Sequence, residues 1–132
     1  GDGNDVVDGG TGSDTLVGGL GKDSLTGGAS TDSFLFDVAA GKANMDVIED
    51  FEPGKDKILL DDAIFASIGP KLAKKEFLAG KKAKDANDYI LHNQKKGTVA
   101  YDADGNGKAS GSEIFAKVDR GIDLTHKDFL IV

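Results

Sequence analysis

Asp5, Asp14, Asp23 and Asp32 stand nine residues apart, a step that places one carboxylate per copy at the same point of whatever structure the copies form. Gly9, Gly18 and Gly27 keep that step, as do Gly10, Gly19 and Gly28, and Gly3, Gly12 and Gly21. Two positions after each Asp comes an apolar residue, giving Val7, Leu16, Leu25 and Phe34. The unit is G-G-x-G-x-D-x-U-x, with U a large apolar side chain. Several glycines so close together allow positive φ and a tight reversal in which backbone carbonyls turn toward one point. Carboxylate and carbonyl oxygens, with no His or Cys among them, are hard ligands. They select Ca2+ over zinc or copper, and flexible multi-oxygen coordination favours it over the smaller, strictly octahedral Mg2+.

The elements that must hold those oxygens are short. The x-U-x remainder is a strand of about three residues with one inward side chain, stable only if copies stack. Stacking also lines up like charges, which disfavours the compact state unless a cation sits between the turns. The chain of 132 residues has 23 acidic and 16 basic side chains, a net charge of −7, and residues 1–37 hold seven Asp and a single Lys. That balance excludes an electrostatic nucleic-acid binder. The absence of Cys excludes a disulfide framework, a thiolate metal site and a cysteine nucleophile. No apolar run is long enough to span a membrane. The sequence opens on Gly1-Asp2-Gly3-Asn4-Asp5, inside the pattern and without a signal peptide, and reads as a piece of a longer protein.

The repeat resembles that of the RTX, or haemolysin-type, calcium-binding proteins. Three nearly complete copies carry the resemblance, with a fourth that keeps Asp32 but has Ser30 in place of the third Gly. The resemblance implies a parallel β-roll over residues 1–37 in which two nonapeptides complete one turn, pairing Asp5 with Asp23 and Asp14 with Asp32. It implies several Ca2+ ions between the turns, held by those carboxylates and by carbonyls drawn from Gly1, Gly3, Gly10, Gly12, Gly19, Gly21 and Gly28.

A roll that stopped after Phe36 would expose its last turn and strand edges, so residues 38–132 are expected to cap it. The expected fold is mainly β: the roll, then a mixed β cap with short helices. Asp46 to Phe51 alternates, Glu52-Pro53-Gly54 gives a turn and Asp56 to Leu60 a second strand. This stretch is similar to the D-x-I-x-D-F-x-x-G-x-D-x-I-x-L pattern that follows the repeats in RTX proteases. By that resemblance Asp46 and Asp50 supply oxygens to the last calcium sites; the alternative makes them solvent-facing residues of an edge strand. Asp61 or Asp62 can cap a short helix through Ile68, and Lys71 to Ala79, after Pro70 and before Gly80, reads as another. Six Lys between 71 and 84 make this a solvated basic stretch rather than a membrane-surface helix.

Tyr89–His92 and Thr98–Tyr101 suggest a hairpin around Lys95-Lys96-Gly97. Asp102, Asp104, Asn106, Gly107, Ser110 and Glu113 then fit positions 1, 3, 5, 6, 9 and 12 of an EF-hand loop. Strands are expected on both sides, where an EF-hand needs helices, so a polar β-turn is favoured over a calcium loop. His92 and His126 lack any catalytic or metal-binding motif around them. The last residues, Asp128-Phe129-Leu130-Ile131-Val132, read as a strand. By resemblance to RTX proteases and lipases, 124–132 also reads as an uncleaved signal for type I secretion.

The functional expectation is a non-catalytic, monomeric, C-terminal module of a protein exported by a Gram-negative bacterium. Its partners are calcium and the type I transporter. It folds on Ca2+ after export and stabilises its parent. The rival readings are a substrate-contacting module of a secreted protease, lipase or polysaccharide-modifying enzyme, and an adhesive module binding polyanionic glycan through Lys71–Lys84.

Overall fold

The computed structural model describes residues 1–79, 88–104 and 112–132. Strands β1 (Val6–Asp8), β2 (Thr15–Val17), β3 (Ser24–Thr26) and β4 (Ser33–Phe36) come from the four copies of the repeat. Beyond them lie β5 (Asp46–Ile48), β6 (Lys57–Leu60), β7 (Phe77–Ala79), β8 (Ile90–Asn93), β9 (Thr98–Tyr101), β10 (Glu113–Lys117) and β11 (Phe129–Ile131). Successive repeat strands go to opposite sheets. One sheet has the order β1-β3-β5-β10-β9-β8-β7, the other β11-β6-β4-β2.

The repeat pairs with itself at a spacing of two copies: Val7 lies beside Leu25 and Leu16 beside Phe34, both in parallel register. Two nonapeptides therefore make one turn. The same inward rows continue after the nine-residue step is lost, because Leu25 pairs with Ile48 and Phe34 with Ile58, which in turn pairs with Phe129. Loop length between strands is free to vary, whereas the row of large apolar side chains cannot slip by one without turning every residue outward. Leu16, Leu25, Phe34, Ile48, Ile58 and Phe129 all belong to one buried cluster.

The tight reversals use the glycines as expected. Gly10, Gly19 and Gly28 have φ of 88°, 92° and 95°. Ser30, at the third-Gly position of the fourth copy, keeps a φ of 83°, so the turn geometry persists where its preferred residue does not. In the cap, β8 and β9 form the expected antiparallel hairpin, with Ile90 opposite Tyr101 and Asn93 opposite Thr98. β10 joins this hairpin to the roll by pairing antiparallel with β9 and parallel with β5.

The expected helices over 61–79 are not there. Asp61 does begin a turn, accepting the Ala63 N–H on Oδ1 and the Phe65 N–H on its carbonyl, but the chain bends again at Ile68. A single 3-10 turn, Lys74–Glu76, leads directly into β7, which pairs parallel with β8. Phe65, Ile68 and Leu72 are each buried, and their spacing serves the core better as a succession of turns than as one helical face. A nine-residue Lys-rich helix would also have to offset a costly nucleus. As β7, Phe77 instead stacks against Phe129, ring centroids 5.7 Å apart.

His92 in β8 is buried between Ala79 of β7 and Val99 of β9, and its Nε2 lacks a hydrogen-bond partner. Burial holds its pKa below the usual 6.5, against an opposing pull from Asp123. The unfolded chain then takes up a proton that the native one refuses, so this contribution to stability is complete above about pH 6.5 and is lost as the pH falls. Thermal unfolding of the calcium-loaded protein is expected at lower temperature at pH 5.5 than at 7.5, with a smaller difference in His92→Gln. Equal pH dependence of the two proteins would refute the assignment.

Candidate metal centre

An aspartate stands at the entrance of every strand of the roll. Asp5, Asp14, Asp23 and Asp32 immediately precede β1 to β4, Asp46 opens β5, and Asp56 and Asp128 precede β6 and β11. The carboxylates of one turn receive the backbone of the turn above. Asp5 N–H donates to Asp23 Oδ1 at 2.7 Å and Asp14 N–H to Asp32 Oδ1 at 2.9 Å. Asp23 N–H donates to Asp46 Oδ1, and Asp32 N–H to Asp56 Oδ1, both at 3.0 Å. The predicted pairs are thus brought together, and each ladder runs on into the cap.

One oxygen of Asp23, Asp32, Asp46 and Asp56 is used in this way. Oδ2 of Asp14, Asp23 and Asp32 is buried with no hydrogen-bond partner, Asp23 and Asp32 being only 2% and 1% exposed. An ionised oxygen so placed costs several kcal/mol unless a cation or donor meets it. The glycines leave room on that side. A Cβ on Gly9 would lie 2.8 Å from Asp14 Oδ2 and one on Gly27 2.6 Å from Asp32 Oδ2, while one on Gly18 would collide with Asp23 Oδ2. Among the described residues no three His, Asp or Glu converge on one point, so a cation there must draw its remaining ligands from the backbone. Paired carboxylates completed by carbonyls suit the large, irregular shell of Ca2+.

The predicted carbonyl donors stack in pairs two copies apart. A Cβ on Gly19 would lie 2.6 Å from the Gly1 carbonyl oxygen, and those on Gly21 and Gly28 would collide with the carbonyls of Gly3 and Gly10. Gly12, with φ of 93°, has open space around it. Gly28→Ala therefore forces both a left-handed alanine and a clash, and is expected to cost about 1–3 kcal/mol from the backbone conformation alone. The calcium concentration needed for folding should rise accordingly. Gly69→Ala, in open space, is the control and should leave it unchanged.

Asp46 and Asp50 lie at the junction. Burial pushes the Asp46 carboxyl up to about 7, the Asp23 N–H that it accepts works against this, and the Asp23 carboxylate adds to the rise. Asp50 holds the start of the fourth copy: its Oδ1 and Oδ2 accept the N–H groups of Gly27 and Gly28 at 2.8 and 2.7 Å. Each of those oxygens keeps a second lone pair. The reading of both residues as solvent-facing misses these contacts. Asp102 is buried at the end of β9, where its N–H donates to the Tyr89 carbonyl at 2.8 Å, and Asp104 follows it. Asn106, with most of the EF-hand-like loop, falls outside the described residues, as do Gly80 and Lys81 to Lys84.

Sequence reasoning passed over Gly9, Gly18 and Gly27, which give the carboxylates their room, although they keep the nine-residue step. It also passed over Asp56, whose D-x-Ile58 copies the D-x-U of the repeats. Asp56 Oδ2 accepts the Glu52 N–H at 2.8 Å, so one carboxylate ties the turn 52–56 to the roll. Asp128 had no such signal, being one position out of phase. Its two oxygens accept the Gly54 and Thr125 N–H groups, both at 2.9 Å.

Residues 1–34 match the family model of the RTX calcium-binding nonapeptide repeat, in four copies. No curated protein matches the chain. The repeats bind Ca2+, and their number implies several ions.

Proposed function

We propose that this chain is a non-catalytic C-terminal module of a secreted RTX protein, exported by a type I transporter, which folds when it meets Ca2+ outside the cell and so stabilises its parent. The observation that carries this reading is the set of buried, unpartnered Oδ2 atoms on Asp14, Asp23 and Asp32. Asp5, Asp23 and Asp46 would hold ions in one ladder, and Asp14 and Asp32 in the other, with carbonyls of the stacked glycines completing each site. Bound Ca2+ supplies the positive charge that lets these carboxylates lie together ionised. The chain's own part is to bring two turns into register: Asp23, Asp32, Asp46 and Asp56 each fix an N–H of the turn above, each Gly pair leaves the space, and each inward apolar side chain buries the strand.

At low cytosolic calcium the carboxylates repel and three-residue strands cannot offset the entropy of ordering, so the chain stays extended for export. Outside, at the ~10⁻³ M range where extracellular modules bind, ligation and folding become one process. Circular dichroism in EDTA and then in millimolar Ca2+ should show a large gain of β signal that Mg2+ does not reproduce. An unchanged spectrum would sink the reading.

A further inference from the structure

We propose that the cap carries a strand-addition site: an extended peptide with apolar side chains between acidic ends lies in the groove between β11 and residues 70–72, paired with the open edge of β11. In the four-stranded sheet β11 is an outer strand, with β6 on its paired side. Val132 N–H donates to the Leu60 carbonyl and the Val132 carbonyl accepts the Asp62 N–H, so the backbone of Val132, and of Leu130 two residues before it, faces β6. Successive residues of a strand present their backbone groups to opposite edges. Ile131 N–H and C=O and the Phe129 C=O therefore face the open side, while the Phe129 N–H turns back to the His126 carbonyl. A row of this kind is a template for a further strand.

Space and apolar surface for that strand are already present. Beside β11 there is a groove of about 440 Å3, lined by Pro70 and by Leu72 and Phe129, both buried. A three-residue strand in a sheet occupies roughly 480 Å3, taking its rise, the strand spacing and the sheet separation together. An acyl chain would cover the same apolar surface, but it offers no acceptor to the Ile131 N–H and no donor to the Phe129 carbonyl. A peptide offers both.

Charge narrows the partner further. The titratable side chains that line the groove are Lys71, His126 and Lys127, with no acidic one among them. Asp128 does not offset them, because it is buried and its two oxygens accept the Gly54 and Thr125 N–H groups. Lys57 of β6 adds another cation, its Nζ donating to the Lys127 carbonyl at 3.0 Å. A second copy of β11 would bring its own His126 and Lys127 to the same rim, so like charge opposes self-pairing, whereas acidic residues flanking apolar ones complement it. The site rests on the reading of the chain as a C-terminal module that folds with calcium, in which no further strand covers β11.

Fluorescence anisotropy of the labelled peptide Asp-Leu-Thr-Leu-Asp in millimolar Ca2+ tests it. The folded chain should bind this peptide saturably and not its counterpart Lys-Leu-Thr-Leu-Lys. N-methylation of the central Thr, which removes one backbone donor, should weaken binding about 10-fold. The double variant Lys71→Glu and Lys127→Glu changes two exposed side chains, so it should keep the wild-type calcium-induced spectrum while reversing the preference between the two peptides. A chain with the folded spectrum that binds neither peptide at about 1 mM would overturn the proposal, as would equal binding of both or indifference to N-methylation. A dimer in sedimentation velocity without peptide would also overturn it, giving the edge of β11 to a second copy. The circular dichroism spectrum keeps the two readings apart: no response to calcium counts against the proposed function, and a calcium-folded chain without peptide binding counts against this site alone.

Discussion

Asp23→Ala should raise the calcium concentration required for folding by about 10- to 100-fold, or abolish calcium-induced folding altogether. Asp23 is the central member of its ladder: it accepts the Asp5 N–H above and gives its own N–H to Asp46 below. Loss of one charged hydrogen bond costs about 1.5–3 kcal/mol, and that alone corresponds to the stated range. Loss of a carboxylate facing two interturn gaps adds to it. Asp5→Ala, at the open end of the same ladder, should do less. The control that separates the two roles of Asp23 is Asp23→Asn, which keeps an acceptor for the Asp5 N–H and removes the charge. If the carboxylate serves calcium, Asn is nearly as harmful as Ala; if it serves only the backbone ladder, Asn restores folding at the wild-type calcium concentration. In the second ladder, Asp14→Ala and Asp32→Ala should together cost less than the sum of the two if their carboxylates serve one ion, because their Oδ2 atoms lie unpartnered in adjacent turns. Full additivity would separate them into different sites.

What the sequence reveals here depends on how periodic each part is. In residues 1–34 one step of nine sets strand, turn and carboxylate together, so the pairing of Asp5 with Asp23 and of Asp14 with Asp32 is readable from spacing once two copies per turn are assumed. The continuation through Asp46 is half-readable, since Asp46-x-Ile48 repeats the D-x-U unit at the wrong interval, and Asp56-x-Ile58 does so again. Asp128 is hidden because it holds Gly54 from 74 residues away, a contact that no local pattern encodes. The failed helices have the same origin. Leu72, Phe77 and Leu78 can be drawn on a helical wheel, but the open edge of β8 offers Phe77–Ala79 a ladder of backbone hydrogen bonds, and tertiary pairing overrides a weak propensity.

Removal of Phe129–Val132 should unfold much of the cap and also prevent export, and the structure now divides those effects between different residues. Phe129 is buried, continues the row of Leu16, Phe34 and Ile58, and stacks on Phe77, while Ile131 is partly buried against the same cluster. Fully burying a side chain of this kind is worth roughly 1.5–3 kcal/mol, so deleting Phe129 removes about that much, and the partly buried Ile131 a smaller share, from a domain whose total is of the order of 5–15. It also uncovers the edge of β6. Leu130 and Val132 point outward and contribute little to that sum. Phe129→Ala should therefore lower the thermal midpoint of the calcium-loaded protein sharply, whereas the double variant Leu130→Asn and Val132→Asn should leave it within a few degrees of wild type. A transporter reads an unfolded chain and has no means of telling inward from outward residues. If these residues form the export signal, the double variant folds normally in purified form yet accumulates inside a host carrying the matching type I system. Normal secretion of that variant, with normal secretion of the truncated chain, would remove the export role and leave β11 as a packing element alone.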